Sequence, residues 1–429
     1  MKQVAKKGYS RWLGLLSFLV ILHPSFYLII QTDVLYIPLI FIFAVCFCRF
    51  FSKKYYLLDG IGPLWVWVPC ALYAFVTCLI SGGRLPLSCL TMLIFAILMC
   101  IHADQTDWIR PCLVTVVITM LVYGLSTIFF YVFPAVYTPV KATLFPNVLE
   151  ATDYRSGLTT HYSFNGTYIS IGLLCSTTLC LFDTGKRKKK IWTVVAIAMI
   201  FALILTTKRA HILSCFVAIA LTYLLTNRKG KGQRLVAGLA LLIFVLQMAS
   251  AFAPGISESM ERLLGTVGHE DTDGNLLTRY VLWQYALSAF SQHPLFGQGW
   301  GTFVYHWANG ETTLIAHNEL LNLLAEQGSF GAIIFSGMAV YSMIDSARLA
   351  MKCKDDDLRT YLLGSFCIQL FSVVYGYSSG TLFSYEINFV PYFIALCILA
   401  SCKYSIKQNQ PVKVTCATDN GNMRDAYES

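Results

Sequence analysis

Twelve apolar stretches succeed one another along this 429-residue chain, each close to the ~20 residues that a helix needs to cross the hydrocarbon core of a bilayer. They run from Trp12 to Ile30, Val34 to Phe51, Ile61 to Ile80, Leu85 to Ile101, Cys112 to Phe133, Gly166 to Phe182, Ile191 to Thr207, Ala210 to Thr226, Leu235 to Ala253, Phe330 to Ile344, Tyr361 to Tyr377 and Ile387 to Ser401. A chain in lipid must satisfy its backbone hydrogen bonds internally. The pattern therefore predicts an all-α, polytopic membrane protein of about 12 transmembrane helices. Charged residues make up only 13% of the chain, against roughly 25% in soluble domains. That deficit excludes a soluble enzyme, a disordered chain and a nucleic-acid binder. The fifteen cysteines show no CxxC pair and no Cys/His cluster at zinc spacing, and most read as small packing residues of the apolar runs.

Cytoplasmic loops hold the excess of Lys and Arg. With the N-terminus inside, only Arg84, Lys141, Arg155, Lys208, Arg209, Arg262 and Arg279 fall outside, of 32 such residues in all. An even number of spans then puts both termini in the cytoplasm. Met1 to Arg11 is basic and precedes an apolar run with no small-x-small cleavage site, so that run is expected to stay as the first span.

The resulting organisation is N-terminal membrane helices over 1–133, a first outer loop over 134–165, central helices over 166–253, a large outer loop over 254–329, C-terminal helices over 330–401 and a cytoplasmic tail over 402–429. Two very short connections, before Val34 and around Lys208-Arg209, predict tight hairpins. The large loop is rich in aromatic residues, including Tyr280, Trp283, Tyr285, Trp300, Phe303, Tyr305 and Trp307, and should fold back onto the membrane as short helices. Thr278 to Ser291 reads as one, with Leu277, Val281, Leu282 and Tyr285 at helical spacing and Pro294 beyond its end. Asn318 to Gln327 reads as another, with Asn318, Asn322 and Glu326 on a polar face, leucines around the rest and a stop at Gly328.

Several short patterns carry little chemistry. Gly376 to Gly380 matches G-x-S-x-G, but ends a membrane span where a nucleophile elbow needs a strand before it. Gly297-Gln-Gly299-Trp-Gly301 lacks dinucleotide spacing and reads as a tight loop. Asp271-Thr-Asp273 could hold a divalent metal on a diphosphate, yet a solvated turn accounts for it better.

The outward cations say more. Lys208 and Arg209 sit where one span ends and the next begins, with His211 two residues on. A charge so close to hydrocarbon either functions or snorkels to the head groups, and position alone leaves both open. Arg155 and Arg279 add two outward guanidiniums. His317 stands at the start of the Asn318 helix, and an ordinary histidine titrates near neutrality and can take a proton from a hydroxyl.

Three segments together carry a resemblance: Arg279-Tyr-Val-Leu-Trp-Gln-Tyr-Ala-Leu, then His293-Pro-Leu-Phe-Gly-Gln-Gly-Trp-Gly-Thr-Phe303, then Ala316-His-Asn-Glu-Leu-Leu-Asn-Leu-Leu-Ala-Glu-Gln-Gly-Ser-Phe-Gly331. Their order resembles the core signature of the bacterial O-antigen ligase and polysaccharide polymerase family, from roughly Thr206 to Phe335, with an R-x-G pattern at Arg155 and Gly157 before it. The chain departs from that family at Lys208, where a small residue is usual, and at His161-Tyr-Ser-Phe-Asn165, where His-Pro-Asn is usual.

The resemblance implies a GT-C-like glycosyltransferase of the bacterial cytoplasmic membrane, acting on its external face without cofactor or metal. It would move a glycan from a polyprenyl-diphosphate carrier to a hydroxyl of a glycan, lipid or protein, with membrane lipids as its surroundings. A departing diphosphate must have its charge neutralised, and guanidiniums do this bidentately. Arg209 and Arg279 are accordingly expected as diphosphate clamps, with Arg155 and Lys208 as further substrate-binding residues. His317 is expected as general base, with Asn318 and Glu326 supporting it or the sugar hydroxyls, and direct attack would invert the anomeric centre. Polymerisation of repeat units is slightly preferred over ligation to a lipid A core or a protein. A lipid-linked oligosaccharide flippase is the rival, but such transporters carry internal repeats and midplane charges, and neither is evident here.

Overall fold

The computed structural model describes residues 60–144, 154–159, 161–182, 186–226, 275–313, 315–378 and 380–408, with four positions between 230 and 236. The expected spans Trp12 to Ile30, Val34 to Phe51 and Leu235 to Ala253, and the Asp271/Asp273 pair, lie outside these residues. Every other apolar stretch falls on a helix. After a 3-10 turn at Gly62–Val66 come α1 (Trp67–Ile80), α2 (Pro86–His102), α3 (Ile109–Val132), α4 (Pro134–Leu144), α5 (Tyr162–Phe182), α6 (Lys186–Leu205), α7 (Arg209–Leu224), α8 (Asn275–Gln292), α9 (Glu319–Lys352), α10 (Asp356–Ser378) and α11 (Glu386–Gln408). Among the described residues six helices are long and apolar enough to cross a membrane, and α2 and α7 are shorter apolar ones.

The helices alternate in direction. The connections at 81–85, 206–208 and 380–385 and the start of α9 therefore gather at one end of the bundle, and the connections at 103–108 and 353–355, with the end of α5 and the start of α6, at the other. Helices α10 and α11 are central: α11 is buried from Ile387 to Cys402, save Asn388. Trp67 anchors this core, 5.4 Å from Phe393 and 5.6 Å from Phe383 between ring centres. Gln369 donates to Ser346 Oγ (2.8 Å) and Ser365 Oγ (2.9 Å), and Ser365 donates to the Ala395 carbonyl (2.6 Å). This buried set ties α9, α10 and α11 together as polar contacts do between helices in lipid. Away from the basic ends of α6 and α9, the exposed large residues of α1, α6 and α9, such as Ile80, Val194 and Ile333, are apolar, as a lipid-facing surface requires.

The large outer loop is less purely helical than expected. It holds α8, but also a small antiparallel hairpin, β1 (Tyr305–His306) with β2 (Thr312–Thr313). The first outer loop, 134–165, opens with the helix α4. In α8 the buried stripe is Leu282, Ala286 and Ala289, whereas Leu277 and Tyr285, expected on it, point outward. Small alanines let α8 lie close to α9 and to Phe303, and that close approach chose the face.

Helix α9 is broken at Gly328, whose φ of 61° and ψ of −166° are not helical. The break frees two carbonyls that residues 329 and 330 would otherwise occupy. Ser329 N–H instead donates to the Pro294 carbonyl (2.8 Å) and Phe330 N–H to that of Leu295 (3.1 Å). The Ala325 and Glu326 carbonyls then accept from Gln298 N–H (3.1 Å) and Gly299 N–H (2.8 Å). The 294–299 loop thus replaces the missing helical bonds, satisfying every backbone group involved. This is why the His293-Pro-Leu-Phe-Gly and Glu326-Gln-Gly segments belong together: they are two halves of one backbone joint.

Gly299 lies at φ +106°, and a Cβ there would meet Ser81 Oγ at 2.2 Å. Gly299→Ala is expected to destabilise the fold by about 1–3 kcal/mol, from forbidden backbone geometry and overpacking combined. Thermal unfolding of the detergent-solubilised protein checks this, with Gly82→Ala, which meets nothing within 4 Å, as the control for backbone strain alone.

Candidate active site

His317 stands between the hairpin and α9, with its backbone in the left-handed region at φ 53°. The chain on both sides of it is clamped. Ala316 N–H donates to Asn322 Oδ1 (2.7 Å), and the Ala316 carbonyl accepts from Trp283 Nε1 (3.0 Å). On the other side Asn318 caps α9, its Oδ1 accepting from Leu321 N–H (3.2 Å), while its Nδ2 donates to the Tyr377 carbonyl (2.9 Å). Glu319 accepts from the backbone N–H groups of Leu382 and Phe383, locking the same helix start onto the α10–α11 loop. The imidazole nitrogens themselves make no hydrogen bond with a described residue. Burial, then Arg279 and Lys208, hold the His317 pKa at about 4, so the ring is neutral near pH 7.

The α6–α7 hairpin falls where expected, with α6 ending at Leu205 and α7 starting at Arg209. Thr207 has φ 57°, a rare conformation for a β-branched residue. Among the described residues Thr207 and His317 are the two non-glycine positions with positive φ, and both belong to this site. Strain of this kind persists only where the surroundings impose it. Arg155 Nη1 reaches Thr207 Oγ1 at 3.4 Å, bringing the first outer loop to the hairpin. Lys208 Nζ lies 3.7 Å from the centre of the Tyr162 ring.

Arg279, on α8, is held within electrostatic reach of Tyr375, Arg209 and His317. Burial and Arg209 push its pKa down against an opposing effect of Tyr375, yet a guanidinium stays charged in proteins. It forms no ion pair with a described residue. Arg155, Lys208, Arg209, Arg279 and His317 are thus brought to one end of the bundle by four separate segments, the Lys208-Arg209 hairpin supplying two of them. Such a collection of cations around partly buried ground is suited to a multiply charged anion.

Asn318 and Glu326 are placed differently. Asn318 spends both side-chain groups on backbone, and Glu326 is buried with Oε1 accepting from Phe303 N–H at 3.0 Å. The polar face of the α9 start is therefore the inward one: Glu319, Asn322, Glu326 and Gln327 are all buried, while Leu320 is exposed. Loop amides packed against this face need acceptors, and these side chains supply them. The clamping contacts of Trp283, Asn322, Glu319 and Tyr377 escape the sequence reading, which has Trp283 as one loop aromatic among many and Asn322 as part of a polar face. His161, noted there only within a departure from the family pattern, has its ring within electrostatic reach of Lys208 and His317.

Among the described residues no group of three or more His, Cys, Asp or Glu side chains could hold a metal. Trp283→Phe removes just the indole donor to Ala316. Should the site act as a catalyst through His317, this variant is expected to lower kcat about tenfold with little change in KM, at a stability cost of about 1 kcal/mol; steady-state kinetics beside thermal unfolding measures both.

A family model described as O-antigen ligase matches residues 166–336. No curated protein matches the chain. The matched span begins just after the first outer loop and ends beyond the Gly328 joint, so it includes the Lys208-Arg209 hairpin, Arg279, the 293–303 loop and His317.

Proposed function

We propose, on the premise that residues 166–336 match a family model described as O-antigen ligase, that the chain is a glycosyltransferase-like membrane enzyme that moves a glycan from a polyprenyl-diphosphate carrier to an acceptor hydroxyl. The observation that carries this reading is the juxtaposition of Arg279, partly buried and without a described ion-pair partner, with Arg209, Lys208 and a neutral His317 whose ring nitrogens are uncommitted. Arg209 and Arg279 bind the diphosphate, with Lys208 and Arg155 beside them. The acceptor oxygen attacks the anomeric carbon, the bond from that carbon to the diphosphate oxygen breaks, and the hydroxyl proton passes to His317. The leaving diphosphate takes the bonding electron pair, and the cations stabilise the charge it gains. Attack from the opposite side inverts the anomeric configuration, and no metal is required because guanidiniums do the neutralising. The site faces the external side of the bacterial cytoplasmic membrane, opposite the basic ends of α6 and α9.

Elongation of lipid-linked repeat units is the reaction we favour; ligation to a lipid A core or a protein shares the donor half and differs in acceptor. The test is to reconstitute the full chain in nanodiscs with a polyprenyl-diphosphate-linked oligosaccharide, with and without chelator. Release of polyprenyl diphosphate with longer lipid-linked chains supports elongation. Release only when a lipid A core or peptide acceptor is added makes it a ligase. Movement of intact donor across vesicles with no diphosphate released would overturn the transferase reading for a transporter.

A further inference from the structure

The first outer loop delivers a second imidazole to the same place. Its path is tightly held: the Lys141 ammonium donates to the Thr159 carbonyl, Thr159 Oγ1 lies 2.9 Å from the His161 carbonyl, and Asn165 Nδ2 donates to Thr127 Oγ1 (2.7 Å) and the Arg155 carbonyl (2.8 Å). The His161 ring stacks on Tyr162, with 4.1 Å between centres, and meets Phe164 edge-on. Lys208 Nζ sits over that same Tyr162 ring.

The decisive contact is at the ring itself. Ser163 N–H donates to His161 Nδ1 at 3.1 Å. A neutral imidazole that accepts at one nitrogen carries its proton on the other. His161 Nε2 is therefore an N–H donor, and it has no hydrogen-bond partner among the described residues. It is not equipped as a base: one nitrogen is occupied and the other already protonated. Burial, Lys208 and His317 also keep the ring neutral, with a pKa of about 4.

We infer that His161 is a further substrate-binding residue, donating its Nε2–H to a phosphate oxygen of the lipid diphosphate beside Lys208. This rests on the reading of the site proposed above. The physical advantage is specific. Another cation next to Lys208, Arg209, Arg279 and Arg155 would add like-charge repulsion to the empty site. A neutral donor adds a hydrogen bond to the anion without it.

Binding of polyprenyl diphosphate to the full-length protein in nanodiscs tests the assignment. His161→Phe keeps the stacked ring and loses the donor; it is expected to bind about tenfold more weakly than wild type. His161→Gln restores an amide N–H near the Nε2 position and is expected to bind within about threefold of wild type. If His161→Phe binds as wild type does, the residue makes no such hydrogen bond and the inference fails. If His161→Gln is as weak as His161→Phe, a restored N–H does not restore binding, and the inference fails equally. Failure of the wild-type protein to bind polyprenyl diphosphate at all would instead overturn the parent reading.

Discussion

His317→Ala is expected to lower the rate of glycan transfer by about 10²–10⁴-fold, the range for loss of a positioned general base, while the protein folds and reaches the membrane normally. The backbone around the imidazole is held by other residues, Trp283, Asn322, Asn318 and Glu319. Truncating the ring leaves those clamps in place. His317→Gln, which retains a polar side chain but accepts no proton, is expected to be as impaired as His317→Ala.

The pH dependence adds a sharper check. In the proposed role His317 acts as the neutral imidazole, and in the free protein its pKa is held at about 4 by burial, Arg279 and Lys208. Activity is lost as the pH falls through that pKa, because the imidazolium has no lone pair to accept a proton. The acid limb of kcat/KM, which reports the free enzyme, is therefore expected near pH 4. Bound diphosphate neutralises Arg279 and Lys208 and removes their repulsion from the imidazolium. The limb of kcat, which reports the substrate complex, is expected at higher pH than that of kcat/KM. Coincident limbs, or a limb that survives His317→Gln, would remove His317 from the role of base.

Arg279→Ala is expected to reduce kcat/KM by about 10²–10³-fold, the effect of deleting a preorganised donor to developing negative charge. Arg279→Lys should recover only part of this, since an ammonium keeps the charge but not the planar fork that grips two phosphate oxygens. Arg209→Ala is expected to behave similarly, and the double variant to fall short of the product of the two single effects because both grip one group. Fully additive effects would place the two guanidiniums on different ligands. The readout is initial velocity of polyprenyl diphosphate release across donor concentrations.

Much of the scaffold was legible without coordinates. Hydropathy located every span that the structure describes, because a helix in lipid advertises itself by length and composition alone. The Lys208-Arg209 hairpin, the helix start at Asn318 and the stop at Gly328 were legible too, since caps and breaks are written in adjacent residues. Helix faces were not. On the polar face of the Asn318 to Gln327 helix, Asn318 and Glu326 were expected to support the histidine or sugar hydroxyls, yet Asn322 and Glu326 turn inward to hold the amides of Ala316 and Phe303. Beside a membrane the usual rule loses force, because leucines such as Leu320 are as stable against lipid as against protein. Likewise Tyr285 and Leu277 kept helical spacing but lost the inward side of α8 to Leu282 and two alanines.

What the sequence by itself determined is therefore the class of protein, the places where its helices run and turn, and the short list of cations and the histidine that bear on its chemistry; each depends on residue type and near-neighbour order. Tertiary structure alone decided how those residues meet. It brought Arg155, Lys208, Arg209, Arg279 and His317 from four segments to one end of the bundle, and it added His161. It also revealed that two motifs thirty residues apart complete one another's backbone hydrogen bonds across the Gly328 break. Contacts such as Trp283 to Ala316 and Glu319 to Leu382 join groups 33 and 63 residues apart. Buried donors and acceptors must find partners wherever folding puts them, so local order in the chain holds no record of the choice.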